Sequence, residues 1–119
     1  MSALAMILAK RGYSVSGSDQ KISAILRNLS KEGIQVFQQQ NATNIQTICR
    51  NSLYRPLIVT STAVKEHNSE LIAAKHANLK ICHRSDILAE LIEQQPSIVV
   101  AGSHGKTSTS TFITTLLSK

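Results

Sequence analysis

The sequence predicts an α/β protein, a parallel sheet with helices on both faces, and three observations carry that expectation. Short apolar or alternating runs recur along the chain, and between them lie stretches whose apolar residues fall three and four apart. Two of the runs, Leu57-Ile58-Val59-Thr60 and Ser97-Ile98-Val99-Val100-Ala101, are almost continuously apolar, the pattern of strands covered on both faces. Strands that alternate with helices are joined by crossovers, and crossovers make parallel sheets. The third observation is size: 119 residues, 42% of them hydrophobic and 17% charged, make an ordinary globular composition with room for one domain and no more than part of another.

Leu4, Ile7 and Leu8 mark a first helix that ends at Lys10-Arg11-Gly12, with cations in the last turn and glycine at the exit. Tyr13-Ser14-Val15-Ser16 alternates as a short strand, and Gly17-Ser18-Asp19-Gln20 reads as a turn. Ile22, Ile25, Leu26 and Leu29 give a second helical stripe ending at Gly33, and residues 34–37 a second strand. The Gln- and Asn-rich segment 38–44 reads as loop, with a short helix around Ile45, Ile48 and Cys49. A strand at 57–60, a helix at 68–77 through Leu71, Ile72 and Ala74, a strand at 80–82 and a helix at 84–94 through Ile87, Leu88, Leu91 and Ile92 complete the alternation up to Pro96. A fifth strand at 97–101 then runs through a glycine loop into a last helix from Lys106. The chain opens on a helix with no strand and turn before it and stops one helix after the last loop. Residues 1–95 are therefore expected to form most of one α/β domain and 96–119 the opening of a second.

Composition excludes several classes. The net charge is +6 and the pI about 9.7, but the basic residues are scattered and aromatics are 3% of the chain, which leaves little for stacking on nucleic-acid bases. The excess fits a solvated surface that attracts di- and triphosphates. No apolar run approaches the roughly 18 residues of a membrane span, and the basic pair Lys10-Arg11 comes after the apolar N-terminal stretch where a signal peptide would have it precede. Cys49 and Cys82 lack metal-ligand spacing and read as free thiols of a reducing compartment. His67, His76 and His83 are dispersed and read as solvated or packing residues.

Chemistry concentrates in Ala101-Gly102-Ser103-His104-Gly105-Lys106-Thr107-Ser108-Thr109, which comes after an apolar run and opens a helix. Gly102 and Gly105 let backbone N–H groups close on phosphate oxygens, with the helix N-terminus adding a favourable dipole. Lys106 is expected to reach the β and γ phosphates and Thr107 to offer its hydroxyl to Mg²⁺, while His104 contributes backbone N–H. Val100 stands where the general phosphate-loop pattern has its first glycine, so the loop is a variant with glycine at 102.

Gly102-Ser103-His104-Gly105-Lys106-Thr107 resembles the ATP loop of the Mur ligase family, the cytoplasmic ATP-dependent amide ligases of peptidoglycan precursor synthesis. Met1-Ser2-Ala3-Leu4-Ala5 resembles the segment after the glycine turn of the family's UDP-binding domain, and residues 11–19 its second strand. Ser61-Thr62-Ala63-Val64 with Asn68-Ser69-Glu70 is similar to the loop after its fourth strand, and residues 84–91 to the last helix before its ATP loop. The resemblance implies a Rossmann-like UDP-substrate-binding domain over 1–95 and the start of the central P-loop ATPase domain over 96–119. It implies ATP and Mg²⁺ as cofactors, and UDP-N-acetylmuramate, ATP and L-alanine as partners of the whole enzyme, with neither nucleic acid nor membrane. The reaction would activate the muramate carboxylate as an acyl phosphate for attack by an amine, in the cytoplasm.

By the same resemblance, Asp19 would accept hydrogen bonds from the uridine nucleoside and Ser18 would lie beside it in the UDP-substrate site. Ser61, Thr62 and Ala63 would face the diphosphate. Gly102, Ser103, His104, Gly105, Lys106, Thr107 and Ser108 would hold ATP, Lys106 would be catalytic and Thr107 a metal ligand. Where the family often has Gly-His after its third strand, this chain has Gln39-Gln40, so that contact is not carried over. The second-magnesium ligands and the amino-acid domain have no counterpart in these residues, and the chain by itself is expected to be inactive. Other readings are the family's recycling ligase, which joins a murein peptide to the same nucleotide, a non-catalytic nucleotide-binding module, and a basic nucleic-acid-binding domain.

Overall fold

A helix followed by a short strand occurs four times among the described residues, and twice the chain closes a parallel βαβ crossover. In the computed structural model, which describes residues 1–19 and 24–118, α1 (Ser2–Lys10) leads into β1 (Ser16–Ser18), α2 (Ala24–Lys31) and β2 (Gln35–Phe37). After α3 (Ala42–Asn51) come β3 (Ile58–Thr60), α4 (Ser69–His76) and β4 (Ile81–His83), then α5 (Arg84–Glu93) and α6 (Lys106–Leu117). β1 pairs parallel with β2, placing Ser16, Gly17 and Ser18 opposite Gln35, Val36 and Phe37. β3 pairs parallel with β4, placing Ile58, Val59 and Thr60 opposite Ile81, Cys82 and His83. The two pairs are separate two-stranded sheets.

Local chemistry sets the helix ends. α2 leaves through Gly33 at φ +80°, a left-handed exit that returns the Ile34 N–H to the Leu29 carbonyl at 3.1 Å and tucks both side chains inside. Asn41 caps α3 by accepting from the Thr43 N–H at 2.9 Å, and Asn68 caps α4 by accepting from the Glu70 and Leu71 N–H groups at 2.9 and 3.3 Å. α1 packs on α2, α2 on β2, and α3 on α4. The buried apolar side chains among the described residues are Leu29, Ile34, Ile45, Ala74 and Ile87, with Ala74 at 0% exposure. This is a small core, and it lies in the first of two compact units, Met1–Ala89; the second is Glu90–Lys119.

The structure corrects the expected sheet in three places. The strand expected at 13–16 is displaced to Ser16–Ser18, and Tyr13 is 61% exposed. Its register comes from β2, because the ladder begins with the Gln35 N–H donating to the Val15 carbonyl at 3.2 Å, so pairing overrides the turn chemistry of Gly17-Ser18. The fifth strand expected at 97–101 does not form: Ile98 and Val99 are 65% and 73% exposed, and no described strand pairs with them. An apolar run is a strand only where another strand supplies its hydrogen bonds. In place of one parallel sheet over residues 1–95, four described strands of three residues each form two separate pairs, with β3 half-buried. Ile22 of the second helical stripe lies outside the described residues.

Candidate functional site

Parallel strands present all their carboxyl ends on one side, where the connecting loops and helix N-termini converge. At the end of β1, the Asp19 N–H extends the ladder by donating to the Phe37 carbonyl at 3.1 Å, and Asp19 itself is exposed. Ser18, one residue earlier, is half-buried, and its Oγ donates to Glu70 Oε2 at 2.6 Å. Glu70 lies in the first turn of α4, and its other oxygen, Oε1, accepts from Asn44 Nδ2 at 2.7 Å. Asn44, on α3 and only 7% exposed, also donates from Nδ2 to the Gln39 carbonyl at 2.6 Å.

Asn68 Nδ2 donates to Gln40 Oε1 at 2.9 Å, and Ser69 Oγ to the Gln40 carbonyl at 3.0 Å. The end of β1, the β2–α3 loop and the start of α4 are therefore one polar network built around Glu70. A carboxylate here suits the positive end of the α4 dipole. Reading the sequence missed Glu70, Asn44 and Gln40 as members of this network. In the sequence Glu70 showed itself as an acidic residue two positions after Asn68 and as part of the Asn68-Ser69-Glu70 resemblance, with nothing to give its role, since its partners Ser18 and Asn44 lie 52 and 26 residues away.

Ser61, Thr62 and Ala63 come after β3 in a turn closed by the Val64 N–H on the Ser61 carbonyl at 3.0 Å. Ser61 is half-buried, and Thr62 and Ala63 are exposed. Opposite Thr60 at the end of β4 stands His83, to which the sequence assigns no site role. The His83 N–H donates to Asp86 Oδ2 at 3.0 Å, and its Nδ1 lies 2.7 Å from Ser85 Oγ and accepts from the Ser85 N–H at 3.3 Å. Asp86 thereby caps the first turn of α5. His83 Nε2 is buried with no hydrogen-bond partner among the described residues.

In the second unit the glycine loop enters α6 through Gly105, whose φ of +77° is a left-handed N-cap that a side chain would strain. Among the described residues no side chain caps the helix, which leaves its first N–H groups at the positive end of the dipole without a side-chain acceptor. Lys106 Nζ bends back across the loop to donate to the Gly102 and Ser103 carbonyls, the latter at 3.3 Å. Ser103 Oγ lies 3.3 Å from His104 Nδ1. Gly102, Ser103, His104, Thr107 and Ser108 are all exposed. Uncapped N–H groups, one cation held over the loop and an exposed hydroxyl at Thr107 fit a polyphosphate with its metal. Cys49 and Cys82 are free and half-buried. Among the described residues no group of His, Cys, Asp and Glu could hold a metal ion by itself, and no helix is long and apolar enough to cross a membrane.

Two parallel βαβ units with polar side chains at their strand ends, and a glycine loop at a helix N-terminus, define a mixed α/β protein. The chain belongs to the Mur ligase family: the model of the family's catalytic domain matches residues 1–96. The chain is similar over 117 residues, at 57% identity, to the UDP-N-acetylmuramate--L-alanine ligase of Prochlorococcus marinus strain MIT 9313, covering 98% of this chain and 24% of that protein. It is 58% identical over 118 residues to the ligase of the same name from Synechococcus sp. strain CC9605, covering 98% of this chain and 25% of that one. With the ligase of Prochlorococcus marinus strain SARG it shares 52% identity over 119 residues, 100% of this chain and 25% of the relative. The chain thus spans about a quarter of the length of these relatives.

Proposed function

We propose that this chain carries the UDP-sugar crevice and the ATP loop of a cytoplasmic enzyme that joins L-alanine to UDP-N-acetylmuramate at the expense of ATP, through an acyl phosphate on the muramate carboxylate. The observation that carries the reading is the identity of 52% to 58% over nearly the whole chain to relatives of that name. Residues 1–95 are read as a Rossmann-like UDP-substrate domain and 96–119 as the opening of a P-loop ATPase domain. Supporting the first reading, β1 and β3 each have one edge unpaired among the described residues. One further parallel strand between those edges would give the strand order of a doubly wound nucleotide-binding sheet, with that strand at the switch point.

In this reading Asp19 accepts hydrogen bonds from the nucleoside, and Ser61, Thr62 and Ala63 offer hydroxyls and N–H groups to the diphosphate. The loop Gly102, Ser103, His104 and Gly105, with Lys106, Thr107 and Ser108 in the first turn of α6, cradles ATP. Lys106 exchanges its two carbonyl contacts for phosphate oxygens and steadies the charge that moves during phosphoryl transfer, the role that makes it catalytic. Thr107 would hold Mg²⁺, which when bound supplies Lewis-acid neutralisation of the phosphate oxygens. Catalysis here is positioning and electrostatics, with no covalent chemistry by the protein.

The test is a chimera in which this chain replaces the matching residues of the full-length Prochlorococcus marinus MIT 9313 relative. ATP-dependent joining of L-alanine to UDP-N-acetylmuramate by the chimera is expected. A folded chimera that hydrolyses no ATP and forms no product overturns the proposal.

A further inference from the structure

The geometry points to Glu70 as a positioning residue of the UDP-sugar crevice: we propose that its carboxylate holds the end of β1 and the β2–α3 loop in the binding arrangement, and that Ser18 acts through Glu70 rather than on the substrate. This rests on the reading of that crevice given above. Glu70 is half-buried and accepts from two neutral side chains on two other elements, Ser18 Oγ at 2.6 Å and Asn44 Nδ2 at 2.7 Å. Charge-assisted hydrogen bonds of this length are stronger and more directional than neutral ones. Ser18 immediately precedes Asp19, so fixing the Ser18 side chain fixes the direction in which the chain leaves β1. Through the same Nδ2, Asn44 passes the constraint to the Gln39 carbonyl at 2.6 Å. A hydroxyl has one proton to give, and that of Ser18 is committed to Glu70.

Hydrogen-bond stereochemistry separates this role from a direct or purely electrostatic one. In Glu70→Gln the amide Oε1 still accepts from Asn44 Nδ2, and Nε2 donates to Ser18 Oγ, which turns acceptor. Both bridges survive without the charge. In Glu70→Ala both are lost.

The experiment measures the dissociation constant of UDP-N-acetylmuramate and the KM of ATP in the chimera described above, for Glu70→Ala, Glu70→Gln, Ser18→Ala and the Glu70→Ala/Ser18→Ala double variant, each with a melting curve. Glu70→Ala is expected to weaken the UDP-sugar about tenfold, with the KM for ATP and kcat at saturating UDP-sugar unchanged. Glu70→Gln is expected to bind like the parent, and the double variant to be no weaker than Glu70→Ala alone, because both substitutions break the same bridge. Losses that add in the double variant would show that Ser18 touches the substrate itself and overturn the proposal, as would a folded Glu70→Ala that binds normally. Should Glu70→Ala unfold, Ser18→Ala decides: it removes one bridge, and unchanged UDP-sugar binding overturns the proposal. A parent chimera that binds no UDP-sugar overturns the crevice reading and this inference with it, a result distinct from a failure confined to the variants.

Discussion

Asp19 is exposed where the chain leaves β1, with its N–H tied to the Phe37 carbonyl. In the chimera, Asp19→Ala is expected to weaken UDP-N-acetylmuramate by about ten- to a hundredfold, the loss of hydrogen bonds to a carboxylate worth roughly 1.5–3 kcal/mol. The KM for ATP should stay put, because ATP is assigned to the loop before α6. Steady-state kinetics with each substrate varied in turn checks this, and equal changes in both constants would reduce Asp19 to a backbone role. Lys106 gives the complementary result. Its ammonium already spans the loop carbonyls of Gly102 and Ser103, and Lys106→Ala should lower kcat by roughly 10²–10³, as removal of a transition-state contact does elsewhere. Near-normal turnover would mark the loop as structural.

At the scale of elements, α4 and α6 are held in opposite ways. α4 begins on Asn68, which caps two N–H groups with Oδ1 and reaches Gln40 with Nδ2. Asn68→Ala is expected to cost about 1 kcal/mol from the cap, measured by denaturant unfolding of the 119-residue chain. α6 buries no residue, and Thr111, Thr114 and Thr115 bond back to the carbonyls of Thr107, Ser110 and Thr111 at 2.8 to 2.9 Å. A helix rich in β-branched residues and without a packed face has little beyond its own turns to hold it. Amide hydrogens of α6 should therefore exchange with solvent well before those of α3 and α4, which pack on each other. Slow exchange in α6 would contradict that account.

For the whole molecule, the chain spans about a quarter of its relatives, and no residue in it is assigned to the amino acid substrate. Purified residues 1–119 are expected to form no L-alanine adduct of UDP-N-acetylmuramate at any ATP concentration, and ATP-dependent product would refute this. A core with five buried apolar side chains among the described residues is easily breached. Leu29→Ala, which empties a site beside Ile34, should cost roughly 2–5 kcal/mol and remove the cooperative unfolding transition. The charge of +6 has no single face to act from in the sequence, and it suits general attraction of phosphates better than a defined polyanion surface.

The sequence by itself determined the local part. The existence of all six helices was legible, from apolar spacing, from the glycines at helix exits such as Gly33 and from the glycine loop that opens α6, because a helix satisfies its hydrogen bonds within one segment; the start of α3 at Ala42 was not, since 38–44 read as loop. The glycine loop before α6 was legible for the same reason, and its resemblance carried the family. The strands were less so. The start of β1 slid from Tyr13 to Ser16 and the run 97–101 paired with nothing described, since a strand exists only where a distant segment meets it in register. Glu70 shows the limit most plainly. In sequence it is one acid near a helix start. Tertiary structure made it the junction of three segments by bringing Ser18 and Asn44, 52 and 26 residues away, within hydrogen-bond distance of one carboxylate.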